Sequence, residues 1–129
     1  MIVVDSSVWI DFLNGVTTPQ VERLQELIGR VPLLVGDVIL LEVLQGVASE
    51  REAGIVETAL RKFDLAPMLD PDMAVRAAAT YRRLRQRGVA MGKTIDLIIG
   101  TFCLAGGHAL LTSDRDFAPM GEHLGLHLA

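Results

Sequence analysis

Four acidic residues stand inside apolar segments or shortly behind them, where an ionised side chain is unfavourable: Asp5, Glu42, Asp96 and Asp114. The first follows the run Ile2–Val4, the next two interrupt apolar runs, and the last comes shortly after 110–112. Burying an isolated carboxylate costs several kcal/mol unless a base or a metal partners it. The apolar runs contain no basic residue, so we expect a divalent cation to hold these acids together. Oxygen ligands favour Mg²⁺, with Mn²⁺ as the alternative.

Each acid has a plainer interpretation when it is considered alone. Asp5 can be a cap or turn residue, and Glu42 can extend its flexible side chain to solvent. Asp96 can be an ordinary acid in the first turn of a helix, near the positive end of the helix dipole. Gly100, four residues after Asp96, shares a helix face with it and is expected to leave room for an approaching group.

The segment 112–117 combines hydroxyls, acids and an aromatic residue. Its two acids, Asp114 and Asp116, lie on the same side if the chain stays extended. Its hydroxyls, Thr112 and Ser113, can orient an acid or a metal-bound water. The alternative is a polar turn after which the chain returns to the core.

Basic residues are few near these acids. Lys93 lies three positions before Asp96 and is a candidate contact to phosphate, or a solvated loop residue. Arg82 and Arg85, with further arginines at 83 and 87, gather at the end of a predicted helix, where they contact a nucleic-acid backbone or form a solvated face. The net charge of −4 argues against a broad nucleic-acid surface, so any such contact is expected to be local or metal-mediated.

Length and composition predict one domain, 1–129, with a real core, because half of the residues are hydrophobic. The single cysteine, Cys103, lies in an apolar run and is expected to be buried; a chain without disulfides suits the reducing cytoplasm. No apolar run reaches the roughly 20 residues of a membrane span, and the N-terminus does not resemble a signal peptide. We therefore expect no contact with membranes.

The apolar pattern predicts short buried strands that alternate with helices. Strands are expected at 2–4, 33–35, 65–68, 109–112 and 124–128. Helices are expected at 7–13, 19–30, 38–47, 50–63, 72–87 and 94–105, with Ser6, Asp37 and Thr94 as N-caps. The helix 38–47 is apolar almost all round and is expected to be buried. Together these elements predict an α/β fold of three layers (α/β/α) around a short central parallel sheet, whose carboxyl edge binds ligands.

Four fragments, in chain order, resemble the PIN-domain ribonucleases and, within them, the VapC toxins of bacterial toxin–antitoxin pairs. The fragments are Val4–Ser7, Glu42 with Leu44–Gly46, Ile95–Gly100 and Leu111–Phe117. The resemblance implies an acidic quartet that is catalytic and binds metal, formed by Asp5, Glu42, Asp96 and Asp114. It also implies that Asp116 is an additional metal-binding acid and that Thr112 and Ser6 support the acids. Some members carry Thr-x-Asn-x-x-Asp at the closing fragment, so the roles of Asp114 and Asp116 are not separated at this point.

This resemblance implies a PIN-like fold and a Mg²⁺-dependent endoribonuclease toxin that hydrolyses RNA phosphodiester bonds. Its implied partners are the RNA substrate, a cognate VapB-like antitoxin and a second copy of the chain. Trp9, Phe12 and Leu13, with the second helix, are expected to line a groove for a partner, with core packing as the alternative. Two other functions compete: a catalytically silent partner-binding subunit of the same fold, and an aspartate-based phosphotransfer enzyme. The haloacid-dehalogenase form of the latter needs a second aspartate where Ser7 stands.

Overall fold

The computed structural model describes residues 1–129, and its centre is a four-stranded parallel sheet. The strands are β1 (Ile2–Val4), β2 (Leu33–Gly36), β3 (Asp64–Ala66) and β4 (Ala109–Leu111), arranged in the order β3-β2-β1-β4. Strands β1, β2 and β4 are short runs of apolar residues that are buried along most of their length. This is the composition expected of parallel strands that are covered on both faces.

Seven α-helices surround the sheet. They are α1 (Ser6–Leu13), α2 (Pro19–Leu27), α3 (Asp37–Gln45), α4 (Glu50–Leu60), α5 (Pro71–Gln86), α6 (Thr94–Gly106) and α7 (Ala118–Leu124). A single 3-10 turn, Arg115–Phe117, lies between β4 and α7. No helix combines the length and the apolar character that crossing a membrane requires.

The strand order separates the helices into two layers. From β1 the chain moves outward through β2 to β3, and it then returns past β1 to β4 on the other side. Because parallel crossovers are right-handed, the two directions of travel place α1–α4 on one face and α5–α6 on the other. The predicted three-layer α/β/α fold with a short parallel sheet is confirmed.

The reversal of strand order lies between β1 and β4, and it defines where a ligand is expected. Neighbouring β1 and β4 pair from Ile2 with Ala109 to Val4 with Leu111, and Asp5 N–H donates to Leu111 C=O at 2.9 Å. Crevices in open α/β sheets form at the carboxyl ends of strands where the order reverses. The segments that follow β1 and β4 therefore meet at this edge.

Trp9 lies in the interior of the hydrophobic core. The indole is 1% exposed and packs against Phe12 and Phe63, with ring centroids 6.1 and 5.0 Å apart. The prediction that Trp9 lines a partner groove is therefore wrong, and the core-packing alternative holds for it. Cys103 is buried as expected, and this burial raises the pKa of its thiol to about 12, so the thiol stays protonated.

Several predicted boundaries are wrong, each for a local reason. The expected strand at 124–128 is absent, since α7 continues to Leu124 and only one bridge, Leu110 with Leu128, joins the tail to the sheet. The third strand ends at Ala66, before Pro67, which cannot donate to a sheet ladder. Helix α3 is not buried all round, because Leu41 is 56% exposed on its outer side.

The predicted N-caps are each displaced by one residue. Ser6, Asp37 and Thr94 are the first residues of their helices rather than the caps. Asp37 still satisfies backbone donors, since its Oδ1 accepts from Val38 N–H at 2.8 Å and from Met68 N–H at 3.0 Å. Ser6 makes a different contact, described below.

Candidate active site

Asp5 lies at the carboxyl end of β1, at the point where α1 begins. Its side chain is almost fully buried, at 3% exposure. Its Oδ2 accepts hydrogen bonds from Ser7 Oγ at 2.7 Å and from Thr112 Oγ1 at 2.9 Å. Its Oδ1 is buried and has no hydrogen-bond partner in the protein. One carboxylate oxygen is thus held in place, while the other is left without a partner.

Hydroxyl groups connect the segment after β1 with the segment after β4. Thr112 Oγ1, which donates to Asp5, also accepts from Asp114 N–H at 3.0 Å. Ser7 Oγ accepts from Ser113 N–H at 3.1 Å. The predicted supporting role of Thr112 has a structural basis in these two bonds. Ser7 was missed by the sequence reasoning, although its position two residues after Asp5 at a helix start is typical of local hydrogen bonding by hydroxyl side chains.

Asp96 reaches the same edge from the other helical layer. It is the third residue of α6, 5% exposed, and its Oδ2 is buried without a hydrogen-bond partner. The expected space at Gly100 is absent, because a Cβ there would lie 2.4 Å from the Sδ and Cε atoms of Met120. Gly100 therefore admits the Met120 side chain to the core rather than a ligand to the site.

Asp114 and Asp116 lie beside Asp96. The chain does not stay extended after β4, because Asp114 Oδ1 accepts from Asp116 N–H at 2.9 Å and starts the 3-10 turn. The expectation that an extended chain places the two acids on one side therefore does not apply, but the turn brings them together: one ligand oxygen from each of Asp96, Asp114 and Asp116 lies within 4.8 Å of the other two. Asp5 and Glu42 are not part of this set of three.

Glu42 enters the site from α3. Its Oε1 accepts a hydrogen bond from Ser6 Oγ at 3.0 Å, which gives Ser6 a supporting contact instead of a capping one. Partial burial raises the pKa of Glu42, the bond from Ser6 opposes this shift, and the charges of Asp5 and Asp114 add to it. Glu42 does not simply extend into solvent, because it is partly buried and its carboxylate is held by Ser6.

The hydrogen bonds between the segments and the electrostatics of Asp96 place the four predicted acids in one neighbourhood. Desolvation and the charges of Asp114, Asp5 and Glu42 together raise the pKa of Asp96 to about 6. Like charges raise one another's pKa only when they are close. Acids from β1, α3, α6 and the turn after β4 therefore share one electrostatic environment.

Lys93 is the one base that offsets this negative charge. Its Nζ lies 3.7 Å from Asp114 Oδ2 and 4.0 Å from Asp116 Oδ2. The charges of Asp114, Asp96 and Asp116 raise its pKa. Arg82 and Arg85, on the exposed side of α5, form no ion pair with the acids; the Arg85 guanidinium stacks over the Tyr81 ring at 5.6 Å.

The donor set fits a hard divalent cation. Carboxylates are the ligands that Mg²⁺ and Mn²⁺ prefer, and three of them supply oxygens close to one another. The buried oxygens without partners, Asp5 Oδ1 and Asp96 Oδ2, give the independent support, because buried polar atoms are nearly always satisfied. Asp96, Asp114 and Asp116 would hold such an ion, with Asp5 and Glu42 next to them.

Solved structures share this architecture. A chain of the VapBC2 complex from Rickettsia felis, bound to a promoter DNA fragment, is 16% identical with a TM-score of 0.79, covering 100% of this chain and 98% of that one. VapBC-1 from Haemophilus influenzae gives 16% identity and a TM-score of 0.76, covering 100% and 97%. Mycobacterium tuberculosis VapC20, described as a toxin that cleaves the sarcin–ricin loop, gives 17% identity and a TM-score of 0.69, covering 94% and 95%.

At these identities the solved structures establish the shared fold. The sequence itself matches the PIN domain family over residues 2–122, nearly its whole length. That range contains every acid of the site described above. The protein belongs to the PIN domain family.

Proposed function

We propose that this protein is a Mg²⁺-dependent endoribonuclease of the VapC toxin type, contained in a single domain that acts in the cytoplasm. The observation that carries the proposal is the convergence of Asp5, Glu42, Asp96 and Asp114 at one sheet edge, with buried carboxylate oxygens that no protein donor satisfies. VapC20, which cleaves RNA, and the VapBC complexes support the proposal through their common fold.

The acids have distinct tasks in this proposal. Asp96, Asp114 and Asp116 bind the metal, and Asp5 turns its free Oδ1 toward the same site while Ser7 and Thr112 fix its orientation. When bound, the ion supplies Lewis-acid stabilisation of charge on the phosphate and lowers the pKa of a coordinated water. Glu42, held at Oε1 by Ser6, keeps Oε2 available to accept a hydrogen bond from the attacking water.

Cations of the protein complete the RNA site. Lys93 is paired with Asp114 and Asp116, and because 64% of its side chain is exposed, we propose that it meets a phosphate that approaches these acids. Arg82 and Arg85 lie near the end of α5, which precedes the loop that carries Lys93 into α6. We propose that they contact the RNA backbone away from the cleaved bond. Because such contacts release counterions, the affinity for RNA should fall as salt rises.

An apolar groove supports an antitoxin partner. It has a volume of about 580 Å³ and lies between α1, α3 and α4, lined by Ile10, Leu13, Val43, Val47, Ile55 and Val56. Of the residues expected in a partner groove, Leu13 lines it, whereas the second helix does not. Ile55 is 62% exposed and belongs to this contiguous apolar groove, the kind of surface that marks protein interaction sites. We propose that a VapB-like antitoxin binds here, and that the toxin is a homodimer.

A nuclease assay tests the proposed activity. Purified protein is incubated with structured RNA and Mg²⁺, with EDTA as the metal-free control, and the Asp5→Asn and Asp96→Asn variants are compared with wild type. We expect cleavage that requires Mg²⁺ and is lost in both variants, while Asp72→Asn, an exposed acid on α5, retains it. Cleavage by either site variant at the wild-type rate would contradict the assignment. A protein that binds antitoxin and metal but cleaves no RNA would instead be the silent partner-binding subunit.

A further inference from the structure

We propose that Lys93 is a tethered competitor of the metal: its ammonium group occupies part of the cation site, and a divalent ion must displace it to bind. The inference rests on the proposed metal site, because it assigns a new role to a residue at that site. It concerns the metal-free protein and its affinity for the ion, not the chemistry of cleavage.

The position of the ammonium carries this inference. Nζ of Lys93 lies 3.7 Å from Asp114 Oδ2 and 4.0 Å from Asp116 Oδ2. These two acids, with Asp96, are the three whose oxygens lie within 4.8 Å of one another. The ammonium therefore neutralises the same carboxylates that would coordinate the ion, instead of pairing with an acid elsewhere on the surface.

The backbone position and exposure of Lys93 allow its ammonium group to leave the acids and return. Lys93 is the N-cap residue of α6, with extended backbone angles, three positions before Asp96. Its side chain is 64% exposed, so no packing holds it on the carboxylates. A lysine head group is a compact charge on a flexible stem, and it can leave the acids without disturbing the helix that positions Asp96.

The ammonium group and a divalent ion are both positively charged, so they compete for the same acids. A divalent ion bound among these acids repels an ammonium group a few ångströms away, and it also removes the attraction that keeps the ammonium there. In a solvent-exposed setting, interactions of this kind correspond to about a threefold to tenfold change in affinity. Removing the ammonium should therefore tighten metal binding, whereas a purely structural lysine would, when removed, loosen it.

The test measures Mn²⁺ binding to the full-length protein without RNA, by calorimetry or by the spectroscopic signal of free Mn²⁺. We expect Lys93→Gln to lower the dissociation constant about threefold to tenfold. Lys93→Arg keeps the charge and should keep the wild-type value. Lys62→Gln, which removes the same charge from an exposed position after α4, should also bind as wild type does.

The outcomes separate this inference from the proposed function. If wild-type protein binds Mn²⁺ and Lys93→Gln binds it equally or more weakly, the competitor role is wrong and the metal site stands. If Lys93→Gln and Lys62→Gln tighten binding equally, the effect is one of net charge, and the competitor role is again wrong. If neither wild type nor any variant binds Mn²⁺, the proposed metal site itself fails.

Discussion

Replacing Asp96 by asparagine should stabilise the metal-free protein while it abolishes metal binding. Asp96 is 5% exposed and accepts no hydrogen bond at Oδ2, and its burial, together with the charges of neighbouring acids, raises its pKa from 3.8 to about 6. Asparagine has nearly the same shape, so it keeps the packing and removes only the unfavourable charge. The ionised carboxylate at this position thus destabilises the fold. The proposed metal site explains why an acid is nevertheless found there.

The size and sign of the effect follow from this pKa. Because the folded protein binds the Asp96 proton more tightly than the unfolded chain, the native state loses stability as pH rises from about 4 to 6. At about pH 7.5 the full shift corresponds to about 3 kcal/mol, which screening by solvent at the edge of the sheet reduces to about 1–2 kcal/mol. Losing a negative charge from the first turn of α6 acts in the opposite direction, but by only about 0.3–1 kcal/mol.

Urea denaturation in EDTA measures the difference. Asp96→Asn should unfold at higher urea than wild type at about pH 7.5, and the gain should shrink to about one third by about pH 4.5. The matched control is Asp72→Asn, an exposed acid in the first turn of α5, which loses the dipole interaction without relieving repulsion. Added Mg²⁺ should stabilise wild type and leave Asp96→Asn unchanged. An Asp96→Asn protein that is no more stable than wild type at neutral pH refutes the reasoning.

Further predictions concern the scaffold around the site. Thr112→Val removes the bond to Asp5 and the acceptor for Asp114 N–H, so Mn²⁺ affinity measured by titration should fall about 10- to 100-fold; unchanged affinity contradicts this. Gly36→Ala places a Cβ 2.2 Å from the Sδ atom of buried Met68, so the free energy of unfolding measured by urea denaturation should fall by about 1–3 kcal/mol. The Cβ that Gly54→Ala adds within α4 meets open space, so the same measurement should show a free energy of unfolding that is higher by about 0.5–1 kcal/mol.

Much of the fold was readable from the sequence because its signals are local. The β-branched run Ile2–Val4 favours a buried strand, and a chain that alternates such runs with helices has few topologies available. The ends of helices and strands that depend on tertiary contacts could not be predicted from the sequence. Whether residues 124–128 extend the sheet depends on how far α7 continues before Gly125, which adopts a positive φ of 77°, and the apolar pattern does not encode that choice.

In the candidate site, too, some features could be predicted from local sequence signals and others depend on tertiary contacts. Convergence of Asp5, Asp96 and Asp114 was predictable, because each one follows a parallel strand or lies in the first turn of a helix at the same edge, whereas Glu42 lies within α3 and enters from its side chain. The hydrogen bonds that orient them were not. Ser6 and Ser7 are adjacent and chemically identical, yet one donates to Glu42 and the other to Asp5. Their roles depend on which side of α1 each hydroxyl faces, and that is set by the packing of α1 against α3.

The donors that stabilise the acids of the site are distributed unevenly among them. Asp5 receives two hydroxyl donors, Glu42 receives one, and Asp114 receives a backbone donor and the Lys93 ammonium. Asp96 receives none, and its pKa is the one that burial and neighbouring acids raise to about 6. Asp96 is therefore the buried acid with no hydrogen-bond donor to compensate it, and the ion that the site is proposed to bind would relieve its burial and repulsion. This makes Asp96 the position at which stability and metal binding oppose each other most directly.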